Sequence, residues 1–453
     1  MKKTVLLLTG ALFIAAQLIP GNGFAQTPIA FNEISFLMNE TGLGARALGV
    51  AGAYSALGDD YASLYWNPAG LALIGTHELY GALTHVSNNL KTSFMNVSAD
   101  NTNSATSLNA IGIAYKADVH QGSLSIAFGY NKVHNYNSLF SYTGFNTGPS
   151  FVGAEFAEPY APDNLVEDEY VDLGGDLAQY SFGVSIEIAK DFYLGSAFNI
   201  WSGGNIYSQV FQEVDSRNIY TVMPNDLERY KRETIIDTDI FGYGLTIGAL
   251  FQYSDRIRFS GSLQTPRYLR LTERWEFSEG IWFDNNDYWL EEDYGAFEFN
   301  VKTPFFLGAG MAYTTGTFSL ATDIEFIDWT QFNFRDYFPI DGMSAVQGNH
   351  NIRRTLRAIT SPKLGLEYRI AGTSAIVRAG LCLVPHPLKD ADKNMDKKIM
   401  TAGLGFDLSP TIDFNVAYRR CWWSTTSVSD LTGIPIGEDH VNNHVFTAFT
   451  ISF

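Results

Sequence analysis

Charged side chains alternate with apolar ones in several strand-like segments, and ion pairing is the chemistry that this pattern favours. Apolar residues at alternate positions of 318–326 share one face, so Asp323 and Glu325 must share the other. The same parity places further charges on the inner face of nearby segments: Glu367, Arg369, Arg378 and Arg419. Opposite charges on adjacent strands attract one another. We therefore predict an internal charge ladder that fixes strand register, and we prefer this to a role in substrate binding.

The other reactive residue types lack catalytic or metal-binding spacing. The eight histidines form no zinc-protease pattern, and no Gly-x-Ser-x-Gly is present. The loop 390–396 has oxygen ligands at alternate positions, as at the start of a calcium loop, but it lacks the turn glycine and the terminal glutamate. We predict that the chain is not an enzyme and has no metal site or cofactor, and that 390–396 is a solvated hairpin tip.

The elements that must position the ladder are strands of a membrane protein. Residues 1–25 have the basic start, apolar core and small-residue end of a signal peptide. No later stretch has the roughly 18 apolar residues of a membrane-spanning helix. Aromatic residues make up 14% of the chain, while charged residues make up 17%, below the roughly 25% of soluble domains. This combination predicts a β-barrel in the outer membrane of a Gram-negative bacterium.

The net charge of −18 argues against nucleic acid, whose phosphates would be repelled. Acidic residues are concentrated in 133–189 and 275–301, which we interpret as solvated loops. An alternative is that divalent cations bridge these loops to anionic outer-membrane lipids. The two cysteines, Cys382 and Cys421, fall on predicted strands separated by a third strand, about 9 to 10 Å apart. We predict two free thiols, because a disulfide cannot span that distance.

Fifteen segments show alternating hydrophobicity: 77–87, 91–101, 106–117, 122–134, 178–189, 191–203, 236–253, 256–276, 297–314, 316–330, 352–370, 373–385, 397–408, 411–424 and 443–453. Bacterial barrels have even strand numbers, so we merge 77–101 into one bent strand. The result is an all-β, 14-stranded antiparallel transmembrane β-barrel over 77–453. Side chains alone do not fill so wide a lumen. Residues 26–76 are predicted to fold inside it as a hatch of short helices and turns.

The predicted hatch carries the motifs of a known family. In order, these are Gly44-Ala45-Arg46-Ala47-Leu48-Gly49, Gly52-Ala53-Tyr54, Asp59-Asp60 and Tyr65-Trp66-Asn67-Pro68-Ala69-Gly70-Leu71. Together they resemble the N-terminal hatch of the FadL/TodX-type outer-membrane transporters of long-chain fatty acids and hydrocarbons. Later motifs extend the resemblance over the mature chain: Thr303-Pro304 with Gly308-Ala309-Gly310, Asp323 to Trp329, and Arg378-Ala379-Gly380-Leu381 with Gly403-Leu404-Gly405. The resemblance implies a gating role for six hatch residues: Arg46, Asp59, Asp60, Asn67, Pro68 and Ala69. Of these, Arg46, Asp59 and Asp60 are the predicted partners of the charge ladder, which would then also tether the hatch.

A hydrophobic substrate would need an apolar capture surface at the extracellular mouth. Two otherwise acidic loops contain aromatic side chains that solvation does not explain: Phe140, Phe145, Phe151, Trp282, Phe283 and Trp289. The family resemblance suggests a capture groove. Two alternatives are mutual packing of the loops and an aromatic belt at the headgroup level.

The resemblance also implies a side portal at a kink in the third strand. That strand is 122–134, whose inner side is small, and Gly129 and Asn131 are the candidate portal residues.

The sequence thus predicts passive uptake of hydrophobic small molecules such as long-chain fatty acids or hydrocarbons. The final strand ends in Phe453, which resembles the signal read by the outer-membrane insertion machinery. The alternative is a related barrel of type IX secretion that binds or shuttles protein cargo, because bulky aromatic and acidic loops fit that role as well.

Overall fold

The computed structural model describes residues 37–148, 150–152, 164–221, 226–338, 344–429 and 432–453. The predicted signal peptide and the first part of the hatch lie outside these residues. The described helices are α1 (Ala45–Gly49), α2 (Ser63–Trp66) and α3 (Ala345–Thr355), with 3-10 helices at Pro68–Leu73, Trp329–Gln331 and Lys393–Met395. Within the described ranges, no helix combines the length and the apolar character needed to cross a membrane.

The strands form one closed antiparallel sheet. They are β1 (Glu78–Phe94), β2 (Val97–Ala117), β3 (Leu124–Asn135), β4 (Ser138–Asn146), β5 (Leu165–Ala189), β6 (Phe192–Val214), β7 (Leu227–Ser254), β8 (Ile257–Gln264), β9 (Tyr268–Phe283), β10 (Tyr288–Lys302), β11 (Phe306–Thr314), β12 (Phe318–Asp328), β13 (Asn333–Phe334), β14 (Ala358–Arg369), β15 (Ala375–Val384), β16 (Lys397–Ser409), β17 (Ile412–Val428) and β18 (Pro435–Ser452). Closure follows because β1 pairs with both β2 and β18. Since β4, β9, β11 and β13 each continue the preceding strand, the barrel has 14 strands, which confirms the predicted fold.

Some strand ends differ from those predicted. The expected single segment 77–101 is divided, because the chain reverses at Met95 and Asn96, which both have positive φ. This is the two-residue turn that matches the twist of a hairpin. The expected continuous segments 256–276 and 297–314 are each interrupted, at Pro266 and Pro304. Proline lacks the amide that the strand ladder requires, so both strands break at neighbouring points of the wall.

Side chains alternate between lipid and lumen along each wall strand. Asp323 and Arg378 are each 6% exposed, whereas their outward neighbours Ile324 and Leu381 are 50% and 51% exposed. The large exposed apolar residues recur at every second position of the same strands, as in Leu79 and Leu83 of β1. Burying charges inside and exposing apolar groups outside is the arrangement that a lipid environment stabilises.

The described part of the hatch lies inside the barrel. Its apolar residues, among them Leu48, Tyr54 and Leu64, form one buried cluster with small inward-facing wall residues such as Ala110 and Ala417. On the wall, Cys382 and Cys421 both pair with Ile399 from opposite sides, so β16 separates them and both thiols are free.

Candidate functional site

The turn Asn67-Pro68-Ala69 is held against the barrel wall by the side chain of Asn67. The amide Nδ2 donates to Ser55 O at 2.9 Å and to Ala249 O of β7 at 3.1 Å, while Oδ1 accepts from Ala69 N at 3.2 Å. Asn67 thereby caps the 3-10 helix, and Pro68 occupies a first-turn position where its missing amide removes no helical hydrogen bond. One side chain thus joins the turn both to the rest of the hatch and to the wall.

Two wall glycines make room for this turn. A Cβ atom on Gly248 of β7 would lie 1.9 Å from Asn67 Oδ1, and one on Gly195 of β6 would lie 2.3 Å from the carbonyl carbon of Pro68. Only a residue without a side chain allows this approach. Sequence reasoning did not single out these two residues, although a glycine at a lumen-facing strand position is the signal that would identify them.

Arg46 of α1 joins the hatch to the wall through Glu367 of β14. Arg46 Nε donates to Glu367 Oε1 at 2.9 Å and Nη2 to Oε2 at 3.2 Å, while Nη1 donates to Asp59 at 2.7 Å. Arg378 of β15 donates to the same Oε1 at 2.6 Å, and Asp60 lies 3.6 Å from Arg46. The hatch charges and two members of the predicted ladder therefore form one network.

Asp323 and Glu325 have different partners although they share one face of β12. The Asp323 carboxylate accepts the backbone amides of Tyr54 and Ser55 at 3.1 and 2.9 Å, so it holds the hatch backbone directly. Glu325 lies 3.5 Å from Lys363 Nζ on the neighbouring strand. Among the described residues, Asp323 is the one of the two that forms hydrogen bonds with the hatch.

Arg369 and Arg419 lie apart from this network. Arg369 pairs with Asp407 in a half-exposed position at the turn rim of the barrel. Arg419 is 7% exposed and lies opposite His444, and within the described ranges it has no ion pair and its Nη1 has no hydrogen-bond partner. The predicted ladder is therefore divided into a hatch network, a rim pair and a separate buried cation.

A polar cavity of about 400 Å³ lies between the hatch and the short strand turns. Charged groups dominate its lining: Arg46, Asp59, Asp60, Glu78, Glu367, Arg369, Arg378, Asp407 and Asp413. The turn Thr314–Thr317 also borders it, so the cavity is at the periplasmic end of the barrel. The hatch thus has a hydrated, charged surface on its periplasmic side.

The opposite side of the hatch meets an apolar cluster, which we call the upper apolar cluster. Its members are Leu37, Met38, Val133, Tyr136, Leu177, Trp201, Ile240, Leu269, Leu271, Phe299, Val301, Ile327, Trp329, Phe332, Phe334, Phe338, Ile352, Leu356, Ile359 and Leu388. Sequence reasoning missed most of them. Four aromatic residues lie close together in one connection between strands, and this spacing could have identified part of the cluster: Trp329, Phe332, Phe334 and Phe338.

A buried guanidinium lies within the upper apolar cluster. Arg267 follows Pro266 at the break between β8 and β9 and is 2% exposed. Its Nη1 donates to Leu37 O at 3.3 Å and to Asn39 Oδ1 at 2.9 Å, and its guanidinium carbon lies 4.4 Å from the ring centroid of Trp201. Arg267 therefore ties the start of the described hatch to the wall through hydrogen bonds and a cation–π contact.

The predicted capture aromatics lie in separate clusters. Phe140 packs on Tyr142, with ring centroids 5.7 Å apart, and Phe145 lies 3.6 Å from the guanidinium of Arg217. The guanidinium of Arg229 covers Trp282 at 4.7 Å.

The remaining three differ in exposure. Phe151 lies 5.0 Å from the ring of Tyr230 and, with Phe283, packs against a second small cluster, whereas Trp289 is 42% exposed. These contacts between loop side chains agree with mutual packing, one of the alternatives above, and the capture groove stays a prediction.

The buried carboxylate of Glu213 anchors the extracellular segment that contains Phe151 and Val152. Glu213, near the far end of β6, accepts the amides of Phe151 and Val152 at 2.8 and 3.0 Å. It is about twenty residues from the periplasmic turn that precedes Phe192, beyond the roughly ten residues that cross the membrane. Burial raises the pKa of Glu213 to about 7.

The predicted portal strand pairs with β5 as far as Asn135, with a bulge, whereas its pairing with β2 ends at Asn131 opposite Ala110. Gly129 lies opposite Gly112, and a Cβ atom on Gly129 would lie 1.6 Å from the hydroxyl of Tyr61 in the hatch. Asn131 is buried, and its side-chain amide has no hydrogen-bond partner in the described residues. The register of β3 against β5 shifts at Val133.

The bulge is bound to the hatch. Val133 O accepts the amides of both Glu40 and Thr41, at 2.8 and 3.0 Å, and the Thr41 hydroxyl donates to Lys132 O at 3.1 Å. His134 contacts Met38 O at 2.7 Å. Residues 38–41 and the irregular part of the third strand therefore form one hydrogen-bonded unit.

Comparison with solved structures finds the same fold. Similar structures include a FadL homologue of Pseudomonas aeruginosa (12% identity, TM-score 0.63), the toluene transporter TodX of Pseudomonas putida (14%, 0.58) and the CymD monoaromatic hydrocarbon channel (12%, 0.55). Each alignment covers 92% of this chain and 99% of the other. At these identities the likeness shows the fold alone.

No curated protein sequence matches the chain. The family model described as "Outer membrane protein transport protein (OMPP1/FadL/TodX)" matches residues 33–447, which is most of the chain. This family consists of transport channels of the outer membrane and not of enzymes. The chain therefore belongs to the OMPP1/FadL/TodX family of outer-membrane transport proteins.

Proposed function

We propose that this channel takes up long-chain fatty acids or hydrocarbons passively and releases them sideways into the membrane. The observation that supports this most directly is the contrast across the hatch. The upper apolar cluster lies on the extracellular side, and the charged cavity lies on the periplasmic side. An apolar ligand gains about 0.8 kcal/mol per buried CH₂ group above the hatch and would lose that gain in the cavity below it.

The exit route in this proposal is the third strand, with Gly129 and Asn131 beside the opening. The support is that the bulge at Val133 is bonded to residues 38–41 of the hatch, while Leu37 and Met38 belong to the upper apolar cluster. A ligand that enters the cluster displaces Leu37 and Met38, and this displacement loosens the bulge. Arg46, Asp59, Asp60, Asn67, Pro68 and Ala69 hold the remainder of the hatch in place during the movement.

The test is uptake by cells that lack their own transporters of this type. Cells that express the chain should accumulate radiolabelled palmitate or toluene faster than cells with an empty vector. Trp329→Ala, within the upper apolar cluster, should slow uptake. Trp275→Ala, whose ring lies against Gly295 outside that cluster, serves as the matched control. Equal uptake with and without the protein, at equal amounts in the membrane, would refute the proposal.

Binding of protein cargo is the second candidate, and one observation favours it. Tyr294 is 82% exposed, and it is about twenty residues from the periplasmic turn that follows Thr314. At about 2.5 Å of rise per residue, this position is far above the roughly 25 Å apolar band, so Tyr294 does not belong to a membrane aromatic belt. Native mass spectrometry of the purified barrel separates the candidates, because bound acyl chains support uptake and a bound protein supports cargo handling.

A further inference from the structure

Positive charge is concentrated in one sector of this acidic protein. Residues 353–398 contain ten lysines and arginines but only four acidic residues, although the whole chain has a net charge of −18. Three of the ten cations face carboxylates within the barrel or at its periplasmic rim: Lys363 with Glu325, Arg369 with Asp407, and Arg378 with Glu367. The excess therefore lies in the other cations of the sector.

Unpaired cations of this sector gather at its extracellular end. We call them, with one residue of β17, the cationic rim: Arg353, Arg354, Arg357, Lys393, Lys398 and Arg420. In the part of the chain that the structure describes, none of the six has an ion pair. Lys398 is half-buried and the other five are exposed. Cations without a carboxylate partner are available to a ligand.

Hydrogen bonds join the part of the rim on α3 to the loop that precedes β16. The last turn of α3, which carries Arg353 and Arg354, receives hydrogen bonds from Lys389 Nζ through the two carbonyl oxygens, at 3.0 and 2.6 Å. Arg357 donates to His386 O at 3.0 Å. The loop that contains both partners leads directly into β16.

The neighbouring acidic groups already have hydrogen-bond donors. Asp392 accepts from Asn394 N at 2.8 Å, and Asp396 accepts from His386 N at 2.8 Å. Asp439, higher on β18, accepts from Ser424 at 2.6 Å. Asp390 is exposed at the loop tip. These neutral donors leave the carboxylates charged, but the six cations of the rim outnumber the four acidic groups, so the rim has a net positive charge.

Lys398 and Arg420 turn outward toward the membrane. Met400 pairs with Arg420, and Lys398 lies two positions along the same face of β16, opposite Trp422. Met400 is 51% exposed to the lipid side, so its face is the outer one. On a shared face, such diagonal neighbours are about 7 to 8 Å apart, within reach of one phosphate group for two long side chains.

The height of these two residues matches the outer headgroup layer. Lys398 is eleven residues from the periplasmic end of β16 at Ser409, which corresponds to about 28 Å at a strand tilt of about 40°. Arg420 is eight residues above Ile412, and its long side chain can extend upward to the interface. Below them, Leu404 and Tyr418 continue the outer face as an apolar surface.

We propose that the cationic rim binds the phosphate group of an outer-leaflet lipid, whose acyl chains lie on the apolar face of β16 and β17. Charge and apolar surface meet here at the depth where a lipid changes from headgroup to acyl chain. A free phosphate ion would interact with the positive charge but not with the apolar surface. This site is independent of the transport proposal, because it lies on the outside of the barrel.

The test uses the full-length barrel purified in detergent and titrated with lipid A or with its dephosphorylated form, with binding read by native mass spectrometry. The variant is Lys398→Gln/Arg420→Gln. The matched control is Lys190→Gln/Arg256→Gln, which removes the same charges from exposed periplasmic turns. Circular dichroism and heat-modifiable migration verify that all proteins are folded.

The wild type and the control should bind lipid A equally, and the rim variant should bind about thirtyfold more weakly. The dephosphorylated lipid should bind all three proteins alike. Equal binding of lipid A by the rim variant and the wild type would overturn the proposal. Displacement of lipid A by an equal concentration of inorganic phosphate would overturn it as well, because the site would then be one for a soluble anion.

Discussion

The guanidinium of Arg46 in the hatch donates to both carboxylate oxygens of Glu367 in the barrel wall, at 2.9 and 3.2 Å. Such two-point pairing is the strongest geometry available to these groups. Because the pair joins a hatch helix to β14, it directly attaches the barrel wall to the part of the hatch that stays in place in the proposed mechanism. Its removal should therefore affect the hatch more than the barrel.

Glu367→Gln should loosen the hatch without unfolding the barrel. The change leaves Arg46 and Arg378 without their shared carboxylate, at a cost of about 3 kcal/mol for a buried pair. We expect faster protease cleavage within 42–71 and a higher conductance in planar bilayers. Glu298→Gln is the control, since its partner Arg270 is 4.0 Å away and both side chains are more than half exposed. An unchanged cleavage rate would argue against the attachment.

Gly248→Ala should displace the turn at Asn67 although alanine is ordinarily tolerated in a strand. The added Cβ would lie 1.9 Å from Asn67 Oδ1, and overpacking of this kind costs about 1–3 kcal/mol. Gly81→Ala is the matched control, because its Cβ would meet nothing within 4 Å. Thermal unfolding monitored by heat-modifiable migration should give a lower midpoint for Gly248→Ala alone. Equal midpoints would show that the turn adapts at no cost.

Asn67→Ala should release the hatch turn from β7. The substitution removes three hydrogen bonds and leaves Ser55 O and Ala249 O without this donor, at about 1–3 kcal/mol for buried groups. Hydrogen exchange of 67–73 should accelerate at least tenfold relative to the wild type. Asn103→Ala on β2 controls for loss of an amide elsewhere. Exchange that stays at the wild-type rate would remove Asn67 from the proposed gate.

Local stability around Glu213 should fall as the pH rises. The pKa of this carboxyl is about 7 in the folded protein because of its burial, above its value in the unfolded chain. The folded state therefore binds the proton more tightly, and this contribution is complete below about pH 4.5 and is lost as the pH passes 7.

Hydrogen exchange at pH 5 and pH 8, corrected for intrinsic rates, measures this effect. Protection of the Phe151 and Val152 amides should be at least tenfold lower at pH 8. Glu213→Gln should remove the dependence. A dependence that persists in this variant would assign it to another group.

The alternation of side chains made the barrel predictable, whereas contacts between distant parts of the chain were not predictable. The inward orientation of Asp323 and Arg378 was predictable because successive side chains of any strand point to opposite faces. The sequence predicted Arg46 as a hatch partner of the charge ladder, but it did not show that Glu367 is the ladder residue that Arg46 contacts, because no local pattern shows where the hatch lies inside the barrel. The wall breaks at Pro266 and Pro304 were visible as prolines, yet alternation continues on either side and concealed them.

The aromatic loop residues show the same limit. Composition identified Phe140, Phe145 and Phe151 as unusual for solvated loops, but it could not distinguish a ligand surface from mutual packing. Their partners, such as Tyr230 and Arg217, are far away in sequence. Conversely, Gly195 and Gly248 attract no attention in a strand until the hatch backbone is placed against them.

The charged cavity beneath the hatch has an electrical consequence. Its volume of about 400 Å³ admits periplasmic electrolyte as far as Arg46 and Glu367. Any voltage across the outer membrane therefore falls mainly over the hatch and the upper apolar cluster, and only weakly over the hydrated cavity at the periplasmic end of the barrel. Arg46, Asp59 and Asp60 sit where that field begins, so the charges that fasten the hatch are also those on which a transmembrane voltage would pull.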